Sequence, residues 1–583
     1  MSNPLLVKQE FIPFSQIKVE HIEPAIDQLL ADARAEVVEL LKQDVPTWDN
    51  LIAPLQASDA LLSEAWSPVS HLNSVRNADD WRAAYNNCLP KLSDFGTEMG
   101  QNQELYEAYK TISESAEFQN YSAGEKKTIT NALRDFKLSG IALPKDKQER
   151  YKEIQSQLSS LSSKYGENVL DAENAWSKHV ADEADLAGVP AVNLALLKQN
   201  AEKKDLDGYL LNLEIPCVQA ILTYCDNADL RYAVYYAFTT RASEVGPSAG
   251  EFDNAQNMRD IVGLRKELAE LLDFNNYSER SIATKMAPTT DVVIDFLNDL
   301  LEKSHSMAVQ DYQELLAFVK AEYAVEELNA WDTGYYVEKM KLAKYSISQE
   351  ELRPYFPVRT VFSGMFEVAE RIFDVQFEEM FDFDTYHEDV RMFKVLRNGK
   401  VLSHFYTDIF ARAKKRGGAW VDQYRPRAIN SDGSIELPIN YLVCNFTPAV
   451  GDQESLLAHD EVVTMFHEFG HALHGLLTTT ECPSVGSFSV AWDFVELPSQ
   501  FMENFCWEEE ALQFLSSHHE TGEPLPKDLL DKMMKAKNFR SASVMLRQIE
   551  FSLFDFTMHM DPTASEEGRI AEILGEVRKR TAI

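Results

Sequence analysis

The chain has 583 residues, 45% hydrophobic and 26% charged, a balance typical of a soluble globular protein with room for about two to four domains. Its 93 acidic residues outnumber 56 basic ones, and the resulting net charge of −37 repels phosphate backbones and anionic lipid, which excludes nucleic-acid and membrane-surface roles. There is no apolar run long enough to span a bilayer and no basic-then-apolar N-terminus, and the cysteines (Cys88, Cys217, Cys225, Cys444, Cys482, Cys506) form no Cys-x-x-Cys pair; a monomeric cytoplasmic chain without disulfides is expected.

The first two-thirds reads as mainly α. From Asp146 to about Asp171, Ile154, Leu158, Leu161, Tyr165 and Val169 recur at steps of four and three, predicting one apolar stripe on a long helix. Similar patterns run from Val292 to Val319 and from Ile221 to Ala237. Residues 1–340 are read as a mostly helical N-terminal region and 341–583 as the catalytic region, with exchange of segments between the two halves left open. Gly246-Pro247-Ser248-Ala249-Gly250 fits Gly-x-Ser-x-Gly, but the segment before it is helical in pattern rather than a strand, so a loop is expected there.

A small β-sheet is expected over about 390–447. Phe393–Leu396, Asn398-Gly399 and Val401–Tyr406 spell a hairpin, since Asn-Gly supplies the positive φ of a type I′ turn. Ala419–Val421 and Ile439–Phe446 read as further strands, and the backbone of Leu442–Phe446 is expected to align a peptide by strand addition.

A helix over about 460–477, N-capped by Asp460, carries His467-Glu468-Phe469-Gly470-His471. Residues four apart on a helix share a face, so His467 and His471 can reach one zinc ion, with Glu468 placed as general base. A catalytic zinc site needs a third protein ligand. His474 is seven residues past His467, about 10.5 Å along the helix, too far to share the ion. The next predicted helix, over about 494–514, offers Glu496 in an apolar setting, ahead of Glu503 and Asp493; Glu503 can instead orient an imidazole, and Asp460 is a further candidate for that supporting role. Cobalt and manganese suit the same nitrogen and oxygen donors. The neighbouring His518-His519 pair is expected at an exposed helix end.

The segments 459–471 (HDEVVTMFHEFGH) and 493–504 (DFVELPSQFMEN) resemble the thimet-oligopeptidase family of zinc metallopeptidases, and so do 67–75 (SPVSHLNSV) and 131–136 (NALRDF). The resemblance covers essentially the whole chain. It implies a helical clamshell with a deep central channel and a zincin-type helix beside a small sheet. It also implies short unstructured peptides as substrates, one zinc ion on His467, His471 and Glu496, and Glu468 as the catalytic residue. The family continues into a Gly- and Tyr-rich loop that contacts substrate, whereas this sequence stops at Ala582-Ile583 and its last tyrosine is Tyr441. A C-terminally truncated chain is therefore expected, with a catalytically impaired zinc-binding scaffold or peptide-binding fragment as the alternative to an active peptidase.

Overall fold

Apolar residues at helical spacing and side-chain caps account for most of the architecture of the computed structural model, which describes residues 3–430, 432–451 and 453–583. Ser122 and Thr289 each accept a hydrogen bond from the amide three residues on, opening the Ala123–Leu138 and Thr290–Tyr323 helices. The long predicted helix spans Lys145–Ala175, but its buried side chains are Tyr151, Ile154, Asn168 and Ala172, while Tyr165 is exposed. Asn168 can occupy the inner face because its amide donates to Asn254 Oδ1 at 2.8 Å. The pattern from Ile221 to Ala237 resolves into two helices, Ile215–Tyr224 and Ala228–Thr239. The break lies at Asn227, whose side chain caps the amides of Asp229 and Leu230.

Strands β1 (Lys178–Val180) and β2 (Tyr209–Leu211) form a minor pair. The main sheet contains β3 (Gln376–Met380), β4 (Arg391–Arg397), β5 (Lys400–Phe410), β6 (Trp420–Arg425) and, after the short pair β7 (Ala428–Ile429) and β8 (Ile435–Glu436), β9 (Ile439–Phe446). Its order is β3-β4-β5-β9-β6, with β5 and β9 parallel and the other neighbours antiparallel. The hairpin turns at Asn398 (φ 52°) and Gly399 (φ 73°) between paired Arg397 and Lys400, as the Asn-Gly dipeptide predicts. Of the segment expected to align a peptide, Leu442 and Val443 are paired on both sides, to β5 and to β6, whereas the β6 ladder ends at Val443 and leaves Cys444–Phe446 without a β6 partner.

Both faces of the sheet are covered, and the alternation along β9 shows how. Leu442 and Cys444 face a core shared with Phe405, Met365, Phe466 and Phe469, whereas Tyr441 and Val443 face the N-terminal helices through Val69 and Leu72. The N-terminal side also carries a buried polar network. Asp408, 1% exposed, accepts from both Nη atoms of Arg412 at 2.6 Å, from Lys415 Nζ at 2.8 Å and from the Tyr386 hydroxyl at 2.9 Å. Burial pushes its carboxyl upward, but Arg412 and Lys415 outweigh that and hold it well below the usual carboxylate range. Tyr386 in turn meets His71 Nε2 at 2.9 Å, and the His71 ring stacks on Tyr441 at 3.9 Å.

The helix His459–Leu476 lies against the sheet with its axis squeezed on two sides. A Cβ on Gly475 would stand 2.4 Å from Asn440 Nδ2, and one on Gly470 would stand 2.4 Å from the Pro498 carbonyl oxygen and 2.6 Å from Ser499 Cα. Glu461 fastens its first turn: one oxygen accepts from the Ala458 amide at 2.7 Å, the other from the Thr447 amide, just past β9, at 2.9 Å.

Two expectations follow. Gly470→Ala should destabilise the protein by about 1–3 kcal/mol, because backbone rather than a flexible side chain must yield. Gly575→Ala, in the Arg569–Thr581 helix with nothing within 4 Å, should instead be neutral or stabilising by up to about 1 kcal/mol. Denaturant titrations of both variants check the pair. Burial lowers the His71 pKa from 6.5 to about 3, with Asp408 opposing and Lys415 and Arg412 adding. The unfolded chain then binds more protons between those values, so this contribution is complete above pH 6.5 and is lost as the pH falls toward 3. The stability of His71→Gln should fall less steeply with acid than that of the wild type, by up to about 1.4 kcal/mol per pH unit. Denaturant midpoints measured at pH 7, 6 and 5 test this.

Candidate metal centre

The His459–Leu476 helix brings His467 and His471 onto one face, their rings 5.0 Å apart and nearly perpendicular. Facing them is Glu496, at the start of the Leu497–Glu503 helix. Its Oε2 lies 3.2 Å from His467 Nε2 and 3.1 Å from His471 Nε2. The edge of a coordination tetrahedron with bonds of about 2.0–2.1 Å is about 3.3 Å, so two imidazole nitrogens and one carboxylate oxygen stand where a zinc ion can be shared. The donor set and the spacing both fit that ion.

The side chains are held from behind. Glu503 Oε1 accepts from His467 Nδ1 at 2.7 Å, which leaves Nε2 as the nitrogen facing Glu496. Ser499 Oγ donates to Glu496 Oε2 at 2.7 Å. Burial lowers the His471 pKa and favours its neutral form, with Glu496 opposing. Glu468 is 5% exposed and its Oε2 has no hydrogen-bond partner. Burial, opposed by His467 and reinforced by Glu496, pushes its carboxyl up to about 7.

Other residues singled out in the sequence lie elsewhere. Glu503 stands behind His467 and is not one of the three converging groups. Asp493 is turned away and accepts the amides of Met286 and Ala287. Asp460 does not cap the helix: Ala458 is the cap residue, the helix begins at His459, and Asp460 is exposed in the first turn because Glu461 reaches back instead. His474 sits half-buried between Phe488 and Phe494 at 6.4 and 6.5 Å. The helix expected over 494–514 is broken into Leu497–Glu503, a 3-10 turn over Asn504–Trp507 and Glu509–Leu515. Pro498 forces a fresh start, and Glu508 is extended. Residues 246–250 form turns after a helix, without the strand that a nucleophile elbow requires.

His518, His519 and Glu520 also lie close together, but His518 Nδ1 accepts from the amides of Glu520 and Thr521 at 3.3 and 3.4 Å, so its proton sits on Nε2 and neither nitrogen is free as a ligand. Sequence reasoning missed Ser499; its only signal is a position three residues past Glu496, within one helical turn.

Beside the first turns of the histidine helix opens a cavity of about 760 Å³, lined by Asp460, Thr464, Asn445, Gly418, Lys341 and Trp507 among others. Thr464 is one turn before His467 and Glu468, so the cavity and the metal-type cluster share a helix face.

Comparison with known proteins agrees with this geometry. Residues 221–583 match the profile of Peptidase family M3, and residues 26–148 that of the Neurolysin/Thimet oligopeptidase N-terminal domain. The chain is 49% identical over its whole length to Oligopeptidase A of Haemophilus influenzae and, likewise, to that of Escherichia coli strain K12, covering 86% of each. A solved structure of PZ peptidase A with an inhibitor shares the fold, with a TM-score of 0.57 and 14% identity over 97% of this chain and 81% of that one. With the histidine helix and its facing carboxylate inside the matched region, the chain belongs to peptidase family M3.

Proposed function

We propose that this metallo-oligopeptidase is a zinc-dependent endopeptidase that hydrolyses short unstructured peptides. In this reading His467, His471 and Glu496 hold one zinc ion and Glu468 is the general base. The observation that carries it is the convergence of two imidazole nitrogens on one carboxylate oxygen at 3.1–3.2 Å, with Glu468 beside them. Zinc bound there supplies Lewis acidity, polarising a scissile carbonyl and lowering the pKa of water toward neutrality.

The protein's own groups do the rest. Glu468 takes a proton on its carboxylate from the attacking water and returns it to the leaving amine. Glu503 keeps His467 in one tautomer and orientation. The end of β9, past its pairing with β6, lines the cavity through Asn445 and Phe446 and offers backbone groups along which an extended peptide can lie, and the cavity of about 760 Å³ supports a short chain rather than a folded protein. No helix among the described residues is long and apolar enough to cross a membrane, and the six cysteines are free and buried. These features support a cytoplasmic enzyme.

Cleavage of an internally quenched decapeptide, with zinc quantified on the same sample, tests the assignment. Glu468→Gln should keep its zinc and lose about 10²–10⁴ in turnover; wild-type turnover in that variant would remove Glu468 from its role. Glu503→Gln should weaken zinc binding by about 10–100-fold, read by chelator competition. Bound zinc without cleavage in the wild type would turn the assignment toward a zinc-holding peptide-binding protein.

A further inference from the structure

Asp493 lies outside the metal-type cluster, yet it joins the segment that carries Glu496 to a distant part of the chain. Its carboxylate accepts the Met286 amide on both oxygens at 2.9 Å and the Ala287 amide on one at 3.0 Å, across 206–207 residues of sequence. Two successive backbone N–H groups aimed at one carboxylate make an anion-binding nest, and bonds to an ionised acceptor are the stronger kind. The loop that supplies them connects the Tyr277–Ile282 helix to the Thr290–Tyr323 helix, whose first turn is capped by Thr289 three residues on.

On the other side, Asp493 belongs to the 3-10 turn Trp492–Phe494, and Glu496 follows only two residues after that turn. Glu496 itself is exposed, and the side-chain hydrogen bond it receives comes from Ser499 on its own helix. The segment that aims Glu496 at the histidines is held after Glu496 by Ser499 and by the Pro498–Ser499 backbone against Gly470, and before it by buried Val495 and by the hydrogen bonds of Asp493 to Met286 and Ala287. Trp492 and Leu497, at 68% and 58% exposure, leave Val495 as the buried apolar residue of the turn, so the hydrogen bonds of Asp493 carry much of its attachment.

We infer that Asp493 is a positioning residue for the metal site: by clasping the Met286–Ala287 amides it fixes the turn that carries Glu496. This rests on the proposed role of Glu496 as a metal ligand. Without the clasp, the turn before Glu496 is less ordered, and the cost of fixing it on metal binding is subtracted from the affinity. The clasp also ties the site to the loop that leads into the Thr290–Tyr323 helix.

The experiment is a zinc titration of the full chain against a competing chelator for wild type, Asp493→Ala and Asp493→Asn, with the visible spectrum of the cobalt-substituted proteins and the melting temperature of the metal-free ones. Asp493→Ala should raise the zinc Kd about tenfold and alter the cobalt bands, with Asp493→Asn, which keeps one acceptor oxygen, in between. The metal-free melting temperatures should stay close to wild type. A wild-type Kd and spectrum in both variants would overturn the inference, as would a loss of zinc matched by an equal loss of metal-free stability in both. Failure of the wild type to take up zinc would instead overturn the assignment of Glu496, and the positioning role with it.

Discussion

Everything at the site depends on how closely two backbones can approach. The histidine helix is flanked by the sheet at Gly475 and by the Pro498–Ser499 backbone at Gly470, and at each contact the space a Cβ would occupy is already filled. That closeness brings Glu496, at the start of a separate helix, within 3.2 Å of imidazoles projecting from the first. A side chain at Gly470 would push the Pro498–Ser499 backbone outward, and a carboxylate moved with it by about an ångström no longer shares a coordination sphere with the histidines, whereas at Gly475 the atoms in the way are the side chains of Asn440 and Ser487. The glycine inside the His-Glu-x-x-His motif therefore serves the third ligand as much as the helix that contains it.

The same helix has to tolerate opposite demands along one length. Phe466, Phe469 and Leu473 on its inner side are buried in an aromatic and aliphatic core with Phe366, Phe377 and Phe405, while its other side presents ionisable groups. Rigidity on the first side limits freedom on the second: with Phe469 wedged among three phenyl rings, the backbone of Glu468 has little room to shift. Burial without a partner is costly for a carboxylate, and the core is large enough to absorb that cost for Glu468.

How much of this is legible in the sequence depends on the range of the interaction. The histidine pair, the Asn-Gly hairpin and the long helices rest on contacts within a few residues, and spacing alone exposes them. Glu496 is visible because an acid stands among apolar neighbours, but its convergence on the histidines depends on Pro498 and Ser499, whose effect is tertiary. The interior place of β9 is set by its parallel pairing to β5, a relation between strands that no local pattern records. Tyr165 fits the apolar stripe and is nonetheless exposed, while Asn168 takes an inner position because Asn254, far along the chain, satisfies it. Asp493, a plausible ligand by spacing, is claimed by amides 206–207 residues away.

The polar network around Asp408 carries a consequence for how the chain is made. Arg412 donates to the Val75 carbonyl across 337 residues, and His71 reaches Tyr386 across 315. At synthesis rates of about 5–20 residues per second, the Ala53–Val75 helix waits tens of seconds on the ribosome for the strands that cover it. Until β9 emerges, the apolar face that will meet Tyr441 and Val443 lacks that cover, and until residues 386–412 emerge His71 and the Val75 carbonyl lack their partners Tyr386 and Arg412. Assembly of the sheet on the N-terminal helices is thus a late, long-range event, and the apolar face of those helices stays uncovered by β9 for most of translation.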